Sequence, residues 1–121
     1  MRSRILSAAA ALVLAVTGLV ALTATPAQAG CSHAHPFLDG TGGYVSATDA
    51  AVRSGPHHLG SGACTVVGRA YNGYAAQYYC YTSGDTYNGW STWTWVYVPA
   101  INRSGWVNDA LLYGNGSNYP C

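Results

Sequence analysis

Four Cys, four His and four Trp carry the chemistry open to this 121-residue chain. Cys31, Cys64, Cys80 and Cys121 are an even set without the paired short spacings of a zinc site. Behind an export signal such a set reads as two disulfides, and four Cys allow three pairings. Cys64 and Cys80 lie symmetrically about Asn72-Gly73. A hairpin turning there would place them on facing strands and leave Cys31 to join Cys121, which is the expected pairing. In the chain-entropy picture the short ring would contribute about 3 kcal/mol and the long one about 4.5 kcal/mol.

His33 and His35 form an H-x-H pair, and His57 and His58 are adjacent. Four converging imidazoles could hold a transition metal. Both pairs fall in segments that read as irregular, so solvated loop histidines are expected, with no metal and no cofactor. Nucleophilic catalysis needs an activated Ser or Cys beside a base. The Cys are committed to disulfides and no Ser sits in a Gly-x-Ser-x-Gly elbow. The absence of Glu removes the usual carboxylate pair of a glycosidase. No catalytic residue is assigned, and the expectation is that the protein is not an enzyme.

The aromatic residues are more informative. Trp93, Trp95 and Tyr97 occupy one parity of a strand pattern; Thr94, Val96 and Val98 occupy the other. A small barrel accommodates Val inside more readily than Trp, so Val96 and Val98 are expected to point inward. Trp90, Trp93, Trp95, Tyr97 and Trp106 are then the candidate ligand-binding residues on an exposed aromatic face. The competing reading is that an N-terminal arm or C-terminal tail folds over them. Asp49 and Arg53 flank the same early strand, where a structural hydrogen bond or ion pair is expected.

The elements that position these residues follow from composition. Arg2 and Arg4, the apolar run from Ile5 to Leu22 and Ala27-Gln28-Ala29 make a signal peptide of residues 1–29. An uncleaved anchor is the first alternative. Lipidation at Cys31 is the second, weakened by Gln28 where a lipobox carries an aliphatic residue. Past residue 29 there remain three Arg, four Asp and all the aromatics. That near-neutral balance excludes an electrostatic footprint for nucleic acid or anionic lipid. One small domain is expected. An irregular arm spans 30–43 and a Gly/Asn-rich tail spans 114–121. Between them lie short strands: Tyr44–Ser46, Ala51–Arg53, Cys64–Tyr71, Tyr74–Thr82, Trp93–Val98 and Gly105–Val107. Ser83–Gly89 reads as a loop and Asn108–Leu112 as one helical turn. The spacing predicts an all-β barrel or sandwich.

Val52-Arg53-Ser54-Gly55-Pro56, Val66-Val67-Gly68, Trp93-Thr94-Trp95-Val96 and Gly105-Trp106-Val107 with Leu111-Leu112 occur in an order that resembles the bacterial SH3-like (SH3b) domain. The resemblance covers residues 44–113. It implies a small five-stranded SH3-like barrel with a short helical turn near the C-terminus. It also implies a core of Val45, Val52, Val66, Ala70, Ala76, Tyr78, Val96, Val98, Val107 and Leu111. Such domains look like wall-targeting modules of hydrolases; here the domain stands alone behind the signal.

The resulting expectation is a secreted, monomeric, non-catalytic binding module, extracellular or associated with the cell wall. Its expected ligand is peptidoglycan, as peptide or glycan, and after signal cleavage it would have no membrane association. The alternative is an extracellular protein–protein effector such as an inhibitor or competition factor.

Overall fold

Alternation along β5 (Trp90–Val98) organises the structure. Val96 and Val98 are fully buried inside a curled sheet, as their parity predicts. β5 pairs antiparallel with β4 (Ala75–Tyr87) on one side and β6 (Arg103–Asn108) on the other. Adding β1 (Gly42–Tyr44), β2 (Asp49–Arg53) and β3 (Val66–Tyr71) gives the order β1-β4-β5-β6-β2-β3. The computed structural model describes residues 30–121, so the signal-peptide expectation for residues 1–29 lies outside the described residues.

The architecture is a six-stranded antiparallel half-barrel rather than a five-stranded barrel. β1 and β3 are its free edges. Two main-chain hydrogen bonds carry the β1–β4 pairing on into the turn after β3: Val45 N–H donates to the Tyr74 carbonyl at 2.9 Å, and Gly73 N–H to the Val45 carbonyl at 2.8 Å. The inner face holds Val45, Ala50, Val52, Ala70, Ala76, Tyr78, Val107 and Leu112 with the two β5 valines. A 3₁₀ turn at Asp109–Leu111 stands where the helical turn is expected.

Two core expectations need correction. Val66 is 37% exposed, while Val67 packs against the core. The cause is a bulge: Val52 faces Gly68 but Arg53 faces Val66, so one extra residue inverts the strand's parity at its start. Leu112, bridged to Val45, takes the fully buried place expected of Leu111, which is only partly buried.

The hairpins also differ from expectation. Asn72-Gly73 does turn the chain, with Tyr74 N–H donating to the Tyr71 carbonyl at 3.0 Å. Only Gly73 of the pair has positive φ, at 85°. That is the type II pattern, whose twist splays strands, and β3 and β4 do not pair. The two-residue hairpin is instead Asn88-Gly89, at φ 48° and 79°, which joins Tyr87 to Trp90 in a type I′ turn. The segment expected as a loop from Ser83 to Tyr87 is therefore the end of β4.

The disulfide pairing follows the strand order. With β3 and β4 apart, Cys64 cannot meet Cys80. The bridges are Cys31–Cys64, with Cα atoms 5.6 Å apart, and Cys80–Cys121, with Cα atoms 5.1 Å apart. This corrects the expected Cys64–Cys80 and Cys31–Cys121 pairing. Each bridge ties a terminal segment to the half-barrel. Two disulfides fit an extracellular or oxidising environment. Among the described residues no helix is long and apolar enough to cross a membrane.

Candidate functional site

Trp95 and Trp106 face each other across β5 and β6 on the outer side of the sheet. Their rings meet edge to face, with centroids 5.5 Å apart. The N-terminal arm lies over them. Its anchor is the Cys31–Cys64 bridge, which packs so closely on Gly55 that a side chain there would strike Cys31 and Cys64. An extended arm sends residues two apart to one side, so the H-x-H spacing delivers both imidazoles to the aromatic pair. His35 stacks flat on Trp95, with centroids 3.5 Å apart and planes 2° from parallel. His33 meets the Trp106 edge at 6.0 Å, and its Nε2–H donates to the Gly30 carbonyl at 2.8 Å.

Between arm and sheet is a cleft of about 480 Å³, floored by Trp95 and Trp106 and walled by His33, His35 and the Cys31–Cys64 bridge. That volume is in the range of small-ligand sites. Trp106 is fully buried and its indole N–H has no acceptor among the described residues. A buried donor left unpaired costs about 1–3 kcal/mol.

The five candidate residues do not form one open face. Trp106 is fully buried and Trp93 is 3% exposed. The Trp93 indole N–H donates to the Asp85 carbonyl at 2.9 Å, and His58 leans on its ring. Trp95 and Tyr97 are half-buried. The Tyr97 hydroxyl donates to Asn102 at 3.0 Å. Trp90 is exposed at the tip of the β4–β5 hairpin. The expected exposed surface is thus corrected: the arm covers much of it, and what stays open is the cleft beside Trp95.

Asp85 ties the second histidine pair, which is partly exposed, to the sheet. Its carboxylate accepts from His57 Nδ1 at 2.8 Å and from the backbone N–H of His58 and Leu59 at 2.9 and 3.0 Å. The His57 hydrogen bond holds the Asp85 carboxyl below its ordinary range; partial burial opposes this, and the two backbone donors and the His57 charge assist it. Among the described residues no group of three or more His, Cys, Asp or Glu could hold a metal ion.

On the opposite side a polar network holds the C-terminal tail. Asp109 accepts from Thr92 and Thr94 at 2.6 Å each. Thr94 accepts from Ser117 N–H at 2.9 Å, and the Ser117 hydroxyl donates to Asp39 at 2.7 Å. Burial pushes the Asp109 carboxyl above its ordinary range, against its two threonine donors. Burial also pushes on Asp39, but donors from Thr41, Ser117 and Asn118 together outweigh it and hold its carboxyl below the usual range. Tyr78, whose hydroxyl donates to the Tyr113 carbonyl at 2.7 Å, is pushed up to about 12, chiefly by burial.

The expected roles of Asp49 and Arg53 are structural, and both make such contacts. Asp49 pairs with Arg69 at 3.0 Å, and Arg53 donates to the Cys64 carbonyl at 2.8 Å. Comparison of the chain with protein-family models, with curated proteins and with solved structures returns no match. Sequence reasoning misses His35 as a partner of Trp95, although the H-x-H spacing is the signal for it. It also misses Asp85, for which no local signal exists.

Proposed function

We propose that the chain is a secreted, non-catalytic binding module, a bacterial SH3-like domain. In this reading it acts as a monomer and recognises cell-wall peptide or glycan through the aromatic surface centred on Trp95. The observation that carries this reading is the floor of the cleft. A half-buried Trp95 face lies edge to face with the fully buried Trp106 ring, centroids 5.5 Å apart, beneath a cleft of about 480 Å³. A flat ligand segment supplies a plane to stack on the half-buried Trp95 face, with the buried Trp106 ring beneath it as apolar support. His35 occupies the stacking position in the free protein, so ligand entry displaces it.

The near-neutral composition makes binding apolar and hydrogen-bonded, hence weakly dependent on salt. Sedimentation with purified peptidoglycan tests the proposal. The wild-type chain is expected to pellet at low and high salt, and Trp95→Ala to remain in solution. A soluble wild-type chain at every salt concentration would overturn wall binding.

One observation favours a second reading, an extracellular protein–protein effector. Tyr87 and Trp90 are 38% and 40% exposed at the β4–β5 hairpin tip, the kind of aromatic pair that anchors protein interfaces. Co-purification of a folded partner from culture supernatant, lost in Trp90→Ala but kept in Trp95→Ala, distinguishes it.

A further inference from the structure

A second cleft opens on the outer side of the sheet, and its chemistry differs from that of the Trp95 cleft. It has a volume of about 250 Å³. Asp49, Ala51 and Arg53 line it at alternate positions of β2, the parity opposite to the buried Ala50 and Val52. Arg69 enters from β3, where it faces Ala51 in register. Trp93, Tyr87 and Leu111 supply the apolar wall. Two of the three Arg beyond residue 29 therefore meet in one cleft of a charge-poor molecule.

Their pairing is unequal. Arg69 has a carboxylate partner in Asp49, and both side chains are about half exposed. Arg53 is half-buried and its hydrogen bond goes to a neutral acceptor, the Cys64 carbonyl. Among the described residues the ion pairs are His57–Asp85 and Arg69–Asp49, so Arg53 has no carboxylate there. A partly desolvated guanidinium without a counter-ion is costly. Arg53 and Arg69 line the same cleft from the neighbouring strands β2 and β3; partial burial, and next the charge of Arg69, lower the Arg53 guanidinium's hold on its proton. Asn108, also in the lining, has both ends of its amide engaged, with the Trp90 carbonyl and the Ala110 N–H.

We propose that this cleft binds a small organic carboxylate. Arg53 takes the carboxylate, Arg69 adds charge at the rim, and the ligand's apolar body lies against Trp93, Tyr87 and Leu111. A guanidinium presents two parallel N–H donors that match the two oxygens of a carboxylate. Asp49 cancels one of the two cationic charges, so a monoanion suits the site better than a doubly charged phosphate. The site is independent of the Trp95 cleft and of what binds there.

N-acetyl-phenylalanine, titrated into the ¹⁵N-labelled protein and followed by NMR, tests this. The expected result is a saturable shift of the Arg53 side-chain N–H, the Ala51 amide and the Trp93 indole signals. N-acetyl-phenylalaninamide, which lacks the charge, is expected to give no saturable shift, and inorganic phosphate to bind more weakly than the carboxylate. Loss of a charge-assisted pair makes Arg53→Gln at least about tenfold weaker. Arg69→Gln, at an exposed position, is expected to bind about threefold more weakly with its fold intact. It keeps the test decisive if Arg53→Gln fails to fold. Equal shifts with the amide, phosphate binding tighter than the carboxylate, unchanged affinity in Arg69→Gln, or no saturable shift in the wild-type protein would each overturn the proposal.

Discussion

The N-terminal arm and the C-terminal tail both lie on the half-barrel, and each contributes one cysteine to a bridge, but they are seated by different interactions. The first part of the arm meets the sheet through rings, with His35 flat on Trp95 and His33 at the edge of Trp106; only beyond it do the Leu38 and Asp39 N–H groups donate to the Tyr79 carbonyl, at 3.1 and 2.8 Å. Beneath it lie an open cleft and an indole N–H without an acceptor among the described residues. The tail meets the sheet through hydrogen bonds in series. Tyr81 and the tail exchange main-chain bonds, Tyr81 N–H to the Tyr119 carbonyl and Cys121 N–H to the Tyr81 carbonyl, both at 2.8 Å. Ser117 then links Asp39 to Thr94 and Asp109. A satisfied polar network admits few alternative arrangements. Ring stacking is tolerant of sliding and leaves room for a competitor. The His33–His35 stretch of the arm is therefore the part suited to recognition, and the tail, with Asp39 at the arm's far end, the part suited to rigidity.

Removing the bridges one at a time is the strongest challenge to this contrast. The rings span sequence separations of 33 and 41 residues, so loss of either costs about 4 kcal/mol in the chain-entropy picture. Urea unfolding of the paired Cys→Ala variants is expected to show nearly equal losses. Tryptophan emission of the still-folded variants should separate them. Cys31→Ala/Cys64→Ala is expected to shift to the red as Trp95 and Trp106 become wet, and Cys80→Ala/Cys121→Ala to keep its native emission. Identical spectra would remove the distinction between the two ends.

Acid titration examines the tail network from the inside. Asp39 is held below its ordinary value of 3.8 in the folded protein, so its contribution is present above that pH and lost as pH falls through the depressed value. Asp109 is raised above 3.8, so the folded form is favoured by its protonation. Its contribution is complete below 3.8 and declines as pH rises through the raised value. Asp39→Asn is expected to lose about 2 kcal/mol at neutral pH, where its carboxylate accepts charge-assisted bonds, and to unfold less steeply in acid. Asp109→Asn is expected to flatten the opposite slope. Chemical denaturation from pH 3 to 7 reads both, and slopes of the same sign would contradict the assignment.

The smallest effect belongs to the arm. His35→Ala removes one stacked ring pair and is expected to cost about 1 kcal/mol. It should also make Trp95 more accessible to acrylamide quenching, because the ring that covers it is gone. Unchanged quenching would show that the arm does not shield the Trp95 face.

Features set by alternation within one strand are legible in the residues themselves. Val96 and Val98 point inward, and the parity of Trp93, Trp95 and Tyr97 is opposite. The number of bridges is legible as well, because it needs only an even count of cysteines. Their pairing is not, because it depends on which strands are neighbours. That in turn depends on whether Asn72 adopts positive φ, which it does not, while Asn88 does. Two identical dipeptides thus make different turns, and the surroundings decide. Ser83 to Thr86 has the composition of a loop. It is strand because Gly84 lets the Pro56 loop lie directly on it and Asp85 N–H donates to the Pro56 carbonyl at 3.0 Å. The burial of Trp93 and Trp106 is hidden for the same reason: their covers come from distant segments of the chain.

The two rings have a bearing on how the molecule is assembled. Cys31–Cys64 closes before Cys80 occurs in the sequence, and Cys80–Cys121 begins after the first ring is complete. The rings are consecutive, neither nested nor interleaved. A chain oxidised as it emerges from its N-terminus joins its first two cysteines, then its last two. The native connectivity is thus the order of appearance, and a vectorial oxidant reaches it without reshuffling a wrong bridge.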